Sequence, residues 1–332
     1  MGQYFYFVNF DKPLLHCSLG KYGEWFGLDD DYQVIKFLKR LVVPPPEPKL
    51  GQVQIAHRRE RHDYWKYRLG LIHSVPGYVK NRFQLELPLT GFDRAGSEYA
   101  TLLDLPLELH TAIFDLLDGY GTALNLAVVN RHFWNVGKAR LTHFLARTGD
   151  TFCWAGDRII FIGDGSEDLP EHIENPPGDE DCITIEEIKD EVQYESRSPD
   201  WPSLPKVYQN DGLPTTKEFK PWVKPYEQSS TVWVLRNLSK KEYTYAVKRS
   251  NSSRRGYGTF ADRLSVWAVW ASNGISGVDD KYARGRWAGD CFDIVPEEQL
   301  KYVIGKDGKA VEEDGWRDVT EELNQVLDVI LA

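Results

Sequence analysis

Methionine occurs once in the 332 residues, cysteine four times and never as a CxxC pair, and no apolar run approaches membrane-spanning length. A single Met argues against the soft, Met-lined groove that promiscuous binders use. Cys17, Cys153, Cys182 and Cys291 are scattered through a chain large enough to build its own core. They read as reduced thiols, not disulfide staples. Met1 to Lys12 has an apolar stretch, Tyr4 to Val8, but no basic segment before it and no cleavage site, so no signal peptide is expected. Tyr6 stands where a myristoylation signal places Ser or Thr. These absences point to a soluble protein of the cytoplasm, the nucleus or both.

Catalytic signatures are missing too. There is no Ser/His/Asp order, no Gly-rich phosphate loop and no zinc spacing among the eight histidines. His57 and His62 lie beside arginines, a poor setting for a dication, and read as exposed side chains. No catalytic residue, cofactor or metal is expected.

What is abundant is aromatic: Trp 11, Tyr 17 and Phe 15, which favours β-rich structure with large packing anchors. The net charge of −10 is local. Between Asp164 and Asp200 fourteen acidic residues face only Lys189 and Arg197, so the remainder of the chain is slightly basic.

The chain repeats itself. Trp154-Ala155-Gly156-Asp157 recurs as Trp287-Ala288-Gly289-Asp290, and three further stretches match in the same order. Tyr4 to Lys12 pairs with Val232 to Lys240, Lys21-Tyr22-Gly23 with Gly256-Tyr257-Gly258, and Ile183 to Ile188 with Val319 to Leu323. The first stretch reads as a strand entering a turn. In the WAGD stretch the Trp anchors a core while Gly-Asp turns into the next strand. The last reads as a helix start, with Thr184 or Thr320 as cap. The final helix places Leu323, Val326, Leu327 and Ile330 on one face.

The stretch from Tyr22 to Trp154 is far longer than that from Tyr257 to Trp287, as if a segment had been inserted at a surface connection. That segment opens with a helix expected over about 30–42, with Tyr32, Ile35, Leu38 and Val42 on one side. Pro44-Pro45-Pro46 stops it. Further on, Asp104 and Pro106 open a helix with Leu109, Ile113, Leu116 and Leu117 in a stripe. Thr122 is the expected cap of a second helix running through Leu124, Leu126, Val129, Phe133 and Trp134. A third is expected over about 136–146. Three short helices give a core too small to be comfortable alone, so the unit is expected to lean on a host domain or a partner.

Leu105-Pro106, Glu108-Leu109, Ile113-Phe114 and Leu116-Leu117, followed by Ala123-Leu124, Leu126-Ala127 and Val129-Asn130-Arg131-His132-Phe133-Trp134, resemble the F-box motif. The likeness spans about 45 of 332 residues. It departs at Gly119-Tyr120-Gly121, where an acidic or Pro-containing turn is usual, and at Val129, where Cys is common. The resemblance implies docking on a Skp-type adaptor, and through it on a cullin–RING ubiquitin ligase. The implied contacts are Leu105, Pro106, Leu109, Ile113, Leu117, Leu126, Val129 and Trp134. Met1 to Lys12 and the WAGD stretches also resemble uncharacterised fungal proteins, which implies no activity.

The rest of the chain offers weaker leads. Asp157 and Asp290 occupy equivalent places, so a pseudo-twofold axis would pair two carboxylates for acid–base or metal chemistry; turn aspartates repeated with their fold are the plainer reading. The basic, aromatic 57–68 stretch reads as a solvated face, a partner for the acidic segment or a nucleic-acid contact. Arg58, Arg59, Arg254 and Arg255 are candidate contacts for a phosphorylated substrate segment.

The expected architecture is α+β: a three-helix F-box module inserted in a duplicated, mainly β domain with a C-terminal helix. Residues 1–28 and 150–195 form copy one, 29–99 a helical and basic insert, 100–146 the F-box-like domain, 196–229 a Pro-rich linker, and 230–332 copy two. The expected function is that of a non-catalytic, substrate-recognising ubiquitin-ligase subunit. An enzyme or ligand binder using the WAGD aspartates, or a nucleic-acid binder using 57–68, is the alternative.

Overall fold

In a computed structural model the described residues are 3–26, 33–48, 102–146, 153–174, 220–226, 231–246, 258–275 and 278–331, apart from a few positions inside these stretches. The fold is α+β. The chain divides into two compact units. The first comprises Met1–Pro44, His143–Trp201 and Pro225–Ala332; the second comprises Pro45–Thr142 and Pro202–Lys224. Among the described residues no helix is long and apolar enough to cross a membrane.

In the first unit, β1 (Tyr4–Asn9) and β2 (Leu14–Lys21) form a hairpin, and β3 (Ile159–Gly163) lies antiparallel to β1 with Asn9 opposite Ile159. β4 (Trp233–Asn237), β5 (Glu242–Tyr245) and β7 (Phe292–Pro296) repeat that arrangement, with Asn237 opposite Phe292. The two-residue strand β6 (Val269–Trp270) joins β3 in parallel, giving the order β2-β1-β3-β6. The second sheet runs β10 (Arg317–Asp318)-β5-β4-β7, and β8 (Tyr302–Ile304) pairs with β9 (Ala310–Glu312).

Period-two alternation explains the unbroken apolar run of β3. Ile159 and Phe161 enter the main core while Ile160 and Ile162 enter a second cluster with Val8 and Leu169 on the opposite face. β4 and β7 behave likewise. Leu235, Phe292 and Ile294 face the main core, and Val234 and Val295 face Val42, Tyr243 and Tyr302. Aromatic contacts fill the main core, among them Phe7 on Phe161 at 4.5 Å and Trp267 on Trp287 at 4.6 Å between ring centroids.

Of the helix expected over 30–42, the described part is Gln33–Leu38, here α1, and it ends before Lys39. Lys39 instead bridges Ile294 of β7 in parallel, and the Arg40 N–H donates to the Ile294 carbonyl at 3.0 Å. A free sheet edge claims this backbone, so Val42 packs with Val234 and Val295 and does not continue the stripe of Val34, Ile35 and Leu38.

In the second unit lie α2 (Leu107–Leu116) and α3 (Tyr120–Ala127), and α4 (Arg131–Ala146) is cut by the division after Thr142. α2 starts at Leu107 with Pro106 as its N-cap; the Pro106 carbonyl accepts the Leu109 and His110 N–H groups. The expected cap Thr122 lies inside α3, whose N-cap is Gly119 without a side-chain bond. Phe133 and Trp134 belong to α4, because α3 ends at Ala127.

Helix α5 (Phe260–Trp267) carries a reciprocal capping box between Thr259 and Asp262, and α6 (Thr320–Leu331) closes the chain. Leu323 and Leu327 are buried as expected, with Val326 and Ile330 packed beside them. Thr320 does not cap its own helix. Its hydroxyl accepts the Tyr245 N–H at 3.2 Å, and Asp318 accepts the Thr320 N–H at 2.8 Å.

Candidate functional site

Helix α2 is apolar on two sides. His110 and Phe114 point into the second unit and are buried. Leu109, Ile113 and Leu116 recur at i, i+4 and i+7 on the other side, where Leu109 is 49% exposed and Leu116 83%. Just before the helix, Leu102, Leu105 and Pro106 are exposed, as are Leu107 on the helix and Val129 after α3. A helix buried by its own fold keeps charged residues outside. This one turns leucines to solvent.

Packing behind that face fixes it. Gly137 of α4 sits so close to the Phe114 ring that a Cβ there would overlap it. Gly121, Ala123, Leu124 and Ala127 are buried on α3, Phe133, Trp134 and Leu141 on α4. The Trp134 ring stands edge-on to Trp222 at 5.0 Å, while the Trp222 Nε1–H donates to the Pro46 carbonyl and its own carbonyl accepts from Tyr120 Oη at 2.7 Å.

Of the expected docking residues, Leu105, Pro106, Leu109 and Val129 are therefore exposed, and Ile113, Leu117 and Leu126 half-buried. Trp134 needs correcting: at 1% exposure its indole is a packing residue of the unit, not a contact presented outward. Leu102, Leu107 and Leu116, which were not among the expected docking residues, are exposed as well. Their signal was present in the leucine-rich opening 102–109 and in the i+7 step from Leu109.

The WAGD turns are well ordered by local bonds. Trp154 and Trp287 are buried, and Gly156 and Gly289 take positive φ of 96° and 79°. Asn9 donates from Nδ2 to Asp157 at 2.7 Å, and Asn237 to Asp290 at 2.7 Å. Lys12 pairs with Asp157 at 2.9 Å, and Lys240 pairs with Asp290. The Lys12 ammonium also reaches the Cys153 carbonyl, as that of Lys240 reaches the Arg286 carbonyl. Across the turns, the Gly156 N–H donates to Phe292 O at 2.7 Å and the Gly289 N–H to Ile159 O at 3.0 Å. Each carboxylate is engaged by its own Asn and Lys, and among the described residues the two share no bonding partner. Among the described residues no cluster of three His, Cys, Asp or Glu is placed to hold a metal.

Beside these turns, burial pushes the Cys291 thiol up from its ordinary value, which leaves it protonated and a poor nucleophile at neutral pH. The strongest charge cluster is closed. Burial alone would raise the Asp293 carboxyl, but the Arg236 and Arg40 guanidinium groups outweigh it and hold the acid ionised, at 2.6 and 2.7 Å. Arg236 spends its remaining donors on the Leu300 and Tyr302 carbonyls.

Arg58, Arg59, Arg254 and Arg255, the 57–68 stretch and the Thr184 helix lie outside the described residues. Comparison with family models, with curated proteins and with solved structures finds no match to this chain.

Proposed function

We propose that the chain is a substrate-recognising subunit of a Skp–cullin–F-box ubiquitin ligase, docking on a Skp-type adaptor through α2 and the residues flanking it. The observation carrying this reading is the outward leucine face. Of the ten large apolar residues exposed among the described residues, six (Leu102, Leu105, Leu107, Leu109, Leu116 and Val129) come from this one small region, which makes it the natural protein contact. Each such side chain, fully desolvated by a partner, contributes about 1.5–3 kcal/mol. The face coincides with the residues that resemble the F-box motif, and that coincidence supports the adaptor as occupant.

On this reading the β-rich unit offers the substrate surface, the ubiquitin chemistry belongs to partners, and the protein works in the cytoplasm or nucleus. The matched Asn–Asp–Lys contacts at Asp157 and Asp290 support taking that unit as two copies of one module. They also support a turn role for the two aspartates over a catalytic one.

The test is co-purification with a purified Skp-type adaptor, comparing the wild-type chain with a Leu109→Asp, Leu116→Asp double variant. Both residues are exposed in the free chain, so circular dichroism should find the variant folded. A stable wild-type complex that the variant fails to form supports the docking face. A wild-type chain that does not bind removes the adaptor reading.

A further inference from the structure

Behind the leucine face lies one buried imidazole. His110 is 2% exposed, and its Nε2 stands 2.7 Å from the Leu102 carbonyl oxygen. A carbonyl only accepts, so Nε2 carries the proton and donates. Its Nδ1 meets His132 Nε2 at 2.8 Å; in a neutral ring Nδ1 is the acceptor of that bond and His132 the donor. The ring stands edge-on to His132 and Phe133, with centroids at 4.8 and 5.1 Å. One side chain thus ties three things together: the segment before α2, α2 itself and the start of α4.

Leu102 and Leu105 are part of the exposed apolar face, yet both lie before the first residue of α2. Their own backbone link is weak, the Leu105 N–H lying 3.5 Å from the Leu102 carbonyl. The shorter contact to that same carbonyl comes from His110. We infer that His110 is a positioning residue for adaptor docking: its Nε2–H holds the Leu102 carbonyl beside α2, so that Leu102 and Leu105 meet the partner already placed beside Leu109. This rests on the adaptor reading proposed above. The advantage is pre-organisation, because a segment ordered before encounter loses less conformational freedom on binding.

Two conservative substitutions separate the ring's two bonds. In His110→Gln the terminal amide reaches where Nε2 lies and keeps the donor to Leu102. In His110→Asn the shorter amide replaces Nδ1, keeping the acceptor for His132 and losing the bond to Leu102. In the full-length chain, affinity for a purified Skp-type adaptor and amide exchange of a peptide spanning Leu102 and Leu105 are measured for all three proteins. Positioning predicts that His110→Asn weakens binding about tenfold and speeds exchange, while His110→Gln stays near wild type in both. A purely structural histidine would make the two variants alike, so equal affinities and equal exchange in Asn and Gln overturn the inference. If the wild-type chain does not bind the adaptor, the adaptor reading falls. The exchange comparison then decides on its own whether His110 holds the segment.

Discussion

The two units treat polar and apolar groups in opposite ways. In the β-rich unit the buried charged and amide side chains are matched. Asn9, Asn237, Arg236 and Asp293 are fully buried, each with named partners. In the helical unit leucines are outside, and among the described residues the buried polar side chain is His110. A buried charge or amide without a partner costs several kcal/mol, so the first pattern describes a unit that meets its buried charges and amides from within. Exposed leucines on a rigid helix cost the free chain little and become favourable only when something covers them. The contrast is between a unit that meets its buried charges from within and a helix that leaves leucines to solvent, the helix proposed above as the docking element.

The sharpest way to break this comparison is at Asp293. Asp293→Ala leaves Arg40 and Arg236 buried without their carboxylate, and should lower the unfolding free energy by about 3–5 kcal/mol in chemical denaturation. A loss under 1 kcal/mol would mean that the cluster is not what holds the β-rich unit together. The same cluster sets a pH dependence. Asp293 is held below its ordinary value against the effect of burial. Glu242 is held low by hydrogen bonds from Arg317 and Trp287 and by the Arg286 charge, again against burial. Acids with depressed folded-state values stabilise the fold above the unfolded value of about 4 and lose that contribution as pH falls through the folded value. Unfolding free energy should therefore hold between pH 7 and 5 and fall below about pH 4; a flat profile down to pH 3 would contradict the assignment.

A smaller effect is expected in the helical unit's interior. Gly137→Val forces a branched side chain into the Phe114 ring and should cost about 1–3 kcal/mol by overpacking. Because Phe114 backs the leucine face, adaptor binding should weaken in the same variant. Unchanged thermal stability would show that α2 and α4 are free to separate. Next come Asn9→Ala and Asn237→Ala, each removing a hydrogen bond to a turn carboxylate, for about 1–3 kcal/mol. Comparable losses in the two variants sharpen the reading of the β-rich unit as two like halves, whereas a cost at only one site would weaken it. Smallest of all is Leu116→Asp, which should change stability by no more than about 0.5 kcal/mol, since the side chain is 83% exposed, while adaptor binding drops.

Much of the β-rich unit was legible from particular residues. WAGD predicted a buried Trp and a turn into a strand, and Trp154, Trp287 and the positive φ of Gly156 and Gly289 fit that reasoning. The spacing of Leu323, Val326, Leu327 and Ile330 gave the final helix its inner face. Residues 39–42 were misread because their helical spacing is local, whereas the β7 edge that takes the Lys39 and Arg40 backbone is more than 250 positions away. The Asp293 cluster was also missed: Arg40, Arg236 and Asp293 have no sequence pattern in common, and only the sheet brings them within bonding distance.

The exposed leucine face divides along the same line. Local spacing in the sequence determined that α2 exists and carries apolar residues around much of its girth, because helix period and residue type are properties of neighbours in the chain. It could not determine which apolar positions face inward. That choice was made by tertiary packing: Gly137 leaves room for Phe114, Trp222 takes up Trp134, and the His110 ring meets Leu102 and His132. With those positions filled from within, Leu109 and Leu116 are left to solvent, because one helix cannot turn every side toward the same core.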